Sequence, residues 1–150
     1  LDILSNFRLV EEKQIVEKLF RQINSNSGLG VYGLDEILNY LKNNVVDTVI
    51  ITDSVNLYRI ESKCNKCKHT QEKIVERIKV IQIKTELKNT PCQSWGIEVL
   101  EQDIIEYISL LGAKTGTTVE VISGVSEHGS MITNLGKIGA ILRYNPNYTN

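Results

Sequence analysis

The sequence has few cysteines and prolines and no long apolar run. It contains three cysteines and two prolines among 150 residues. Three cysteines are too few, and of the wrong parity, for the disulfide framework of a secreted domain. No apolar segment approaches the roughly 20 residues that a membrane-spanning helix needs, and the first residues lack the pattern of a signal peptide. These absences predict a cytoplasmic protein.

Neither sign of charge dominates, because 17 lysines and arginines face 18 aspartates and glutamates. A free-standing nucleic-acid-binding protein usually carries a strong basic excess, so this balance argues against one. The composition, 41% hydrophobic and 23% charged, is that of an ordinary globular domain. The length suits one domain with a small insertion. The chain starts at Leu1 without a methionine, which indicates a piece excised from a longer protein.

Helical and strand patterns alternate along most of the chain. Helical spacing of apolar residues and runs of β-branched residues are the signals used. Helices are predicted at 7–23, 33–43, 103–111 and 130–135, and strands at 29–32, 45–52, 56–61, 117–122 and 138–144. Such alternation predicts a layered α/β sandwich.

Residues 63–96 differ in composition and residue pattern from the rest of the chain. They contain all three cysteines, many lysines and the alternating run Ile78–Ile83. We expect an inserted β-ribbon minidomain, similar to a zinc ribbon, within a sandwich formed by residues 1–62 and 97–150.

The cysteines predict a structural zinc site at Cys64, Cys67 and Cys92. Structural zinc takes four ligands in tetrahedral geometry. A complete second C-x-x-C knuckle would place a cysteine at position 95, where the sequence has Trp95. His69 could supply a fourth ligand, water or an outside ligand could complete a three-thiolate site, or the ribbon could keep its shape without metal. A thioredoxin-type redox motif is disfavoured, because a strand-to-helix junction is missing.

Two other patterns lack the context that their functions need. Gly28–Gly33 matches G-x-G-x-x-G and is followed by Asp53, but dinucleotide binding requires a strand before the first glycine, where this chain has a helix. Ser126, Glu127 and His128 are neighbours in sequence, whereas catalytic triads are assembled in space. We therefore expect no enzymatic activity from these residues.

A lysine cluster accompanies the cysteines, at Lys63, Lys66, Lys68 and Lys73. The interleaved aromatics of single-strand binders are missing there. A solvated face is the simplest interpretation, with a minor RNA contact as the alternative.

Seven segments in a fixed order carry a family resemblance. They are FRLVEEK at 7–13, VYGLDE at 31–36, VVDTVII at 45–51, the cysteine-bearing insertion, GAK at 112–114, VEVIS at 119–123 and GKIGAILRY at 136–144. In this order they resemble the C-terminal domain of class I peptide chain release factors of the archaeal and eukaryotic type. The chain departs from that family at Trp95, where archaeal members often have a fourth cysteine, and at Lys137 and Ala140, where glycine is common.

The resemblance implies an α/β sandwich related to kink-turn-binding ribosomal proteins. It also implies docking of a translational GTPase and later of a recycling ATPase on the ribosome during termination. The NIKS-type stop-codon motif and the GGQ hydrolysis motif of such factors are absent from these 150 residues. The alternatives are the C-terminal domain of a Pelota-like ribosome-rescue factor and a kink-turn RNA-binding protein.

For partner binding, we expect an apolar surface on the second helix and the end of the last strand. The candidate contacts are Leu34, Ile37, Leu38, Leu41, Arg143 and Tyr144. Docking would hold the release factor in a compact form until GTP is cleaved.

Overall fold

A computed structural model describes residues 3–89 and 96–147, with side chains described from residue 11 onward. The chain divides into two compact units, a larger one of residues 1–55 and 108–150 and a smaller one of residues 56–107. The smaller unit extends beyond the 63–96 range expected for the insertion. Strand Leu57–Cys64 pairs along its length with strand Ile97–Asp103, so both whole strands belong to it.

Helices and strands alternate in chain order, as the sequence predicts. The order begins with α1 (Ile3–Asn24), β1 (Gly30–Tyr32), α2 (Leu34–Lys42), β2 (Val46–Thr52), β3 (Leu57–Cys64) and β4 (Thr70–Glu76). It continues with a 3-10 turn (Arg77–Lys79), α3 (Val80–Lys88), β5 (Ile97–Asp103), α4 (Ile104–Thr115), β6 (Thr118–Ile122), α5 (Glu127–Asn134) and β7 (Ile138–Leu142). The α/β class is confirmed. None of the helices within the described residues is both long enough and apolar enough to cross a membrane.

The larger unit is built on a four-stranded mixed sheet of order β1-β7-β2-β6. β7 runs antiparallel to both of its neighbours, β1 and β2, and all five of its residues are buried. β2 and β6 are parallel. The predicted strand at 138–144 is therefore an interior strand over residues 138–142.

α1 packs closely on this sheet. Val16 and Leu19, three residues apart on one helical face, join Ile50 of β2 and Ile141 of β7 in one buried cluster. Gly139 allows the approach, because a Cβ built there would lie 2.5 Å from Cδ2 of Leu19. Glycine at position 139 therefore permits close packing of α1 on β7.

α1 and α4 cover opposite faces of the sheet. Ile122 of β6 belongs to the cluster that contains α1 residues. A Cβ built on Gly112 of α4 would lie 2.8 Å from Cγ2 of Val119, so Val119 faces α4. Residues three apart on a strand point to opposite faces, which makes this unit a layered sandwich.

The smaller unit has a three-stranded antiparallel sheet of order β4-β3-β5, covered by α3. Its core consists of Ile60 from β3 and Val80, Ile83 and Leu87 from α3. These three helical residues are spaced by three and four positions, so they form one face that buries against the sheet.

The prediction of β structure for the run Ile78–Ile83 is wrong, because these residues form the 3-10 turn and the start of α3. Alternate residues of a strand share a face, yet Ile81 is 80% exposed and Ile83 only 9%. The buried partners of Ile83 lie at helical spacing instead. β5 was absent from the predicted elements.

Candidate functional site

Most of the partner-contact residues predicted on α2 are buried in the core. Ile37, Leu38 and Leu41 are at most 4% exposed, and Leu34 is half-buried. Side chains this deeply buried cannot serve as surface anchors in this conformation. The exposed surface of α2 is polar, with Asp35, Glu36, Asn39 and Lys42.

Tyr40 adds a partly exposed aromatic ring to α2. Its hydroxyl donates a hydrogen bond to Oε1 of Glu36 at 3.2 Å. Burial raises the pKa of Tyr40, and the adjacent Glu36 carboxylate raises it further. The phenol is therefore held in its neutral form as a hydrogen-bond donor.

Arg143 is bound to backbone of its own unit. Its Nε donates to the carbonyl of Val46 at 2.9 Å, and its Nη2 donates to the carbonyl of Thr115 at 2.6 Å. The strand register shifts after Val46, and Thr115 is the last residue of α4, so both carbonyls are at irregular positions. The hydroxyl of Thr117 also donates to the Val46 carbonyl, at 2.9 Å. Arg143 thus joins β2 to the end of α4.

Tyr144 leaves the sheet immediately after Arg143 and is 55% exposed. Of the six predicted contact residues, Tyr144 presents an exposed aromatic surface, Leu34 a partial apolar one, and Arg143 a guanidinium already bonded to two carbonyls. The predicted set therefore does not form one apolar patch.

A shallow groove of about 610 Å³ lies beside the C-terminal half of α1, at Met131 of α5. Phe20 and Met131 give it apolar surface, and Glu17 and Arg21 give it charges of both signs; Asn24 and Ser25 complete the lining. Met131 is 39% exposed, while the next residue, Ile132, is fully buried. We call this feature the Phe20–Met131 groove.

Sequence reasoning missed this groove, although a signal existed. In α1, Phe20 follows the buried residue Leu19 and widens the apolar stripe beyond what the sheet covers. In α5, Ser126 caps the helix by accepting the Gly129 N–H at 3.0 Å, which fixes the helical phase and turns Met131 outward.

The G-x-G-x-x-G run and the Ser126–His128 run each contribute the residue that precedes a helix. Gly33 precedes α2 with φ of 100°, and β1 lies inside the G-x-G-x-x-G run, as expected. Ser126 uses its hydroxyl as the cap of α5, and His128 lies within that helix.

The first two cysteines form a tight turn at the end of β3. The Cys67 N–H donates to Sγ of Cys64 at 3.5 Å, and Lys68 adopts a positive φ of 63°. Cys64 is buried and Cys67 exposed. The Asn65 N–H donates to the Gly96 carbonyl at 3.1 Å, so the chain returns to this turn directly after the segment that contains Cys92.

Structural zinc takes four thiolate or imidazole ligands, and this turn contains two thiols of that kind. Cys92 and Trp95 lie outside the described residues. Within the described ranges 3–89 and 96–147, no group of three or more His, Cys, Asp or Glu side chains could hold a metal ion. The donor chemistry fits zinc at Cys64 and Cys67, and completion of the site depends on residues 90–95.

The four predicted lysines are all exposed, and Nζ of Lys73 lies 4.0 Å from Oε2 of Glu86. Arg59 is the most enclosed cation of this sheet. It contacts Glu61 at 2.8 Å and Glu72 at 2.7 Å, and lies 4.4 Å from the ring centroid of Tyr107. Burial disfavours its charge, but the hydrogen bonds to Glu72 and Glu61 outweigh burial and raise the pKa of Arg59.

Comparisons with known proteins agree with this architecture. Residues 9–146 match the family model of eRF1 domain 3. The peptide chain release factor subunit 1 of Methanocaldococcus jannaschii is 35% identical over 147 residues, which are 95% of this chain and 35% of that protein. The chain belongs to the eRF1 domain 3 family. It spans about a third of the length of the curated relatives it matches.

Solved structures show the same relationship. The C-terminal domain of a peptide chain release factor from Methanosarcina mazei matches with a TM-score of 0.80 and 26% identity, over 97% of this chain and 89% of that one. An archaeal Pelota, in a model of its ribosome-bound form with ABCE1, matches with a TM-score of 0.51 and 22% identity, over 91% of this chain and 27% of that one. The Pelota likeness shows a shared fold alone.

Proposed function

We propose that this chain is the docking domain of a translation termination factor and binds a translational GTPase through the Phe20–Met131 groove. Membership of the eRF1 domain 3 family supports the termination role. The observation that carries the docking site is the exposed apolar surface of Met131 beside Phe20, between charges of opposite sign at Glu17 and Arg21.

The groove has the composition of an interface hot spot. Binding energy concentrates in a few apolar or aromatic anchors surrounded by a polar rim. Its α1 wall is anchored in the core, because Val16 and Leu19, on the neighbouring face of the helix, are fully buried. A preorganised wall lowers the entropy lost on binding.

Met131→Glu tests the site directly. A carboxylate at the groove centre would be desolvated by an apolar partner surface, so affinity for an archaeal-type translational GTPase should fall about tenfold or more. Isothermal titration calorimetry with the purified GTPase and this chain measures the change.

Leu110→Glu on α4 is the matched control, because Leu110 is also an exposed apolar helix residue, at 50%. It should bind as the parent chain does, and both variants should keep the parent unfolding temperature within a few degrees. Unchanged affinity for Met131→Glu, or equal losses in both variants, would reject the groove as the docking site.

Tyr144 and Leu34 remain proposed as secondary contacts. Tyr144 is exposed just after the end of β7, and Leu34 keeps partly exposed surface at the start of α2. Tyr144→Ala should weaken GTPase binding without changing stability. An unchanged dissociation constant would remove Tyr144 from the interface.

Further properties follow from the family as proposals. The full-length protein would act in the cytoplasm on the ribosome, and a recycling ATPase would bind this domain after the GTPase leaves; the assembly of archaeal Pelota with ABCE1 on the ribosome supports that partner class. The chain itself would be catalytically silent, so it should not hydrolyse peptidyl-tRNA. A relationship to kink-turn-binding proteins would appear as salt-dependent binding of a kink-turn RNA.

A structural zinc ion is proposed for the smaller unit, held by Cys64, Cys67 and Cys92. When bound, it would supply a crosslink between the β3–β4 turn and the segment before β5. Elemental analysis should find one zinc per chain, and Cys64→Ser should abolish it. A metal-free purified chain whose unfolding temperature is unaffected by added zinc or chelator would refute the site.

A further inference from the structure

β6 is an open edge of the larger sheet. It pairs with β2 from Thr118 to Ile122, and no other strand in residues 3–89 or 96–147 pairs with its outer side. The opposite edge, β1, is only three residues long. β6 therefore offers the longer template for an additional strand.

The unpaired backbone groups of β6 can be identified. The Asp53 N–H donates to the Ile122 carbonyl at 2.9 Å, so the polar groups of Ile122 point toward β2. Orientation alternates along a strand, and the N–H and C=O of one residue point to the same side. The N–H and C=O groups of Val119 and Val121 therefore point away from β2. Within the described residues, no loop or turn backbone group bonds to them.

A cleft of about 400 Å³ runs between this edge and the first half of α1. Carboxylates outnumber ammonium groups along it, with Glu11, Glu12 and Glu120 against Lys18. The remaining lining residues are Gln14, Ile15, Val121 and Ile122. Glu120 lies between the two outward-facing valine positions, so charge and unpaired backbone occur at one place.

We propose that the β6 edge binds an extended basic segment of a partner protein by strand addition, with lysine or arginine side chains entering the acidic cleft. Strand addition supplies backbone hydrogen bonds from the edge, and alternate side chains supply specificity. The excess of carboxylates selects cationic side chains and repels nucleic-acid phosphate.

The charge pattern disfavours a second copy of this chain at the same edge. Two β6 strands pairing with each other would bring Glu120 and the α1 carboxylates of both copies together. Like charges placed opposite each other in a sheet are destabilising. This inference is independent of GTPase docking, because the Phe20–Met131 groove uses other residues of α1.

The test uses the 150-residue chain labelled with ¹⁵N and an eight-residue peptide that alternates valine with lysine. Amide shifts on titration should be largest at Val119 and Val121, and their hydrogen exchange should slow as new hydrogen bonds form. A peptide with glutamate in place of lysine should give no saturable shifts. Glu120→Lys should weaken lysine-peptide binding about tenfold.

Asp35→Lys on α2 is the matched control, since it reverses another exposed carboxylate of the same unit. It should bind the peptide as the parent does. Equal binding of both peptides, shifts confined to other strands, or unchanged affinity in Glu120→Lys would each overturn the proposal. Self-association of the parent chain through β6, measured by sedimentation, would replace it with a dimer interface.

Discussion

Replacing Gly139 by alanine tests how closely α1 approaches the sheet. The new Cβ would lie 2.5 Å from Cδ2 of Leu19, well inside van der Waals contact. Leu19 is fully buried, so its side chain has little room to move away. The substitution should therefore overpack the core of the larger unit.

The magnitude follows from two opposing effects. Overpacking a well-packed core costs about 1–3 kcal/mol. Alanine also restricts the unfolded chain and returns about 0.4–1 kcal/mol where the backbone is compatible with it. The net loss for Gly139→Ala should be about 1–2 kcal/mol, which lowers the unfolding temperature by about 2–4 °C per kcal/mol in a chain of this size.

A double-mutant cycle with Leu19→Ala isolates the contact. Leu19→Ala alone should cost about 2–5 kcal/mol by leaving a cavity. In that background the new methyl group enters vacated space, so Gly139→Ala should cost nothing or restore stability. Urea unfolding followed by far-UV circular dichroism gives the four free energies of unfolding.

Additive costs within about 0.5 kcal/mol would refute the reasoning, because residues in contact couple and distant residues do not. So would a Gly139→Ala variant that is more stable than the parent. Either result would mean that glycine at 139 serves some purpose other than close packing against Leu19.

Three further predictions, two of them with a control substitution, test the smaller unit and the link between β2 and α4. Ile83→Ala should lower the free energy of unfolding by about 2–5 kcal/mol, whereas Ile81→Ala should change it by at most about 0.5 kcal/mol, because helix α3 buries Ile83 and exposes Ile81. Equal losses in urea unfolding would restore the strand interpretation. Arg59→Met should lower the free energy of unfolding by about 1.5–3 kcal/mol, because its hydrogen bonds to two carboxylates are lost. Lys84→Met, which breaks the more exposed ion pair with Glu101, should lower it by at most about 1 kcal/mol. Similar losses in the two variants would contradict the role of burial. Arg143→Ala should cost about 1–2 kcal/mol through two lost hydrogen bonds to carbonyls, and a thermal melt identical to the parent would show that water replaces them.

The elements of the larger unit were predictable where one period dominates the pattern. β2 is an almost unbroken run of β-branched residues, and α1 repeats apolar residues at helical spacing. Ile78–Ile83 is ambiguous between the two periods. Ile81 and Ile83 lie two apart, as on one face of a strand, while Val80 and Ile83 lie three apart, as on one face of a helix. Burial against Ile60, a contact distant in sequence, decides the outcome. Local patterns cannot contain that information.

The candidate site was less predictable for a related reason. An apolar helical face such as Ile37, Leu38 and Leu41 is what a core requires, and it is also what an interface requires. The choice depends on whether other elements cover that face. The exposure of Met131 is hard to predict from sequence, because it depends on the rotational phase of α5, which the Ser126 cap sets.

The two proposed surfaces lie on different flanks of α1, which makes their relationship testable. A residue advances about 100° around a helix, so Ile15 and Lys18 lie on the flank toward β6, and Phe20 lies on the other side of the buried residues Val16 and Leu19. A short strand added at β6 would not cover Phe20. Glu120→Lys should then leave GTPase affinity unchanged if the basic segment comes from a different partner. If the GTPase itself supplies that segment, Glu120→Lys and Met131→Glu should both weaken it, since a single partner would contact both flanks of the helix.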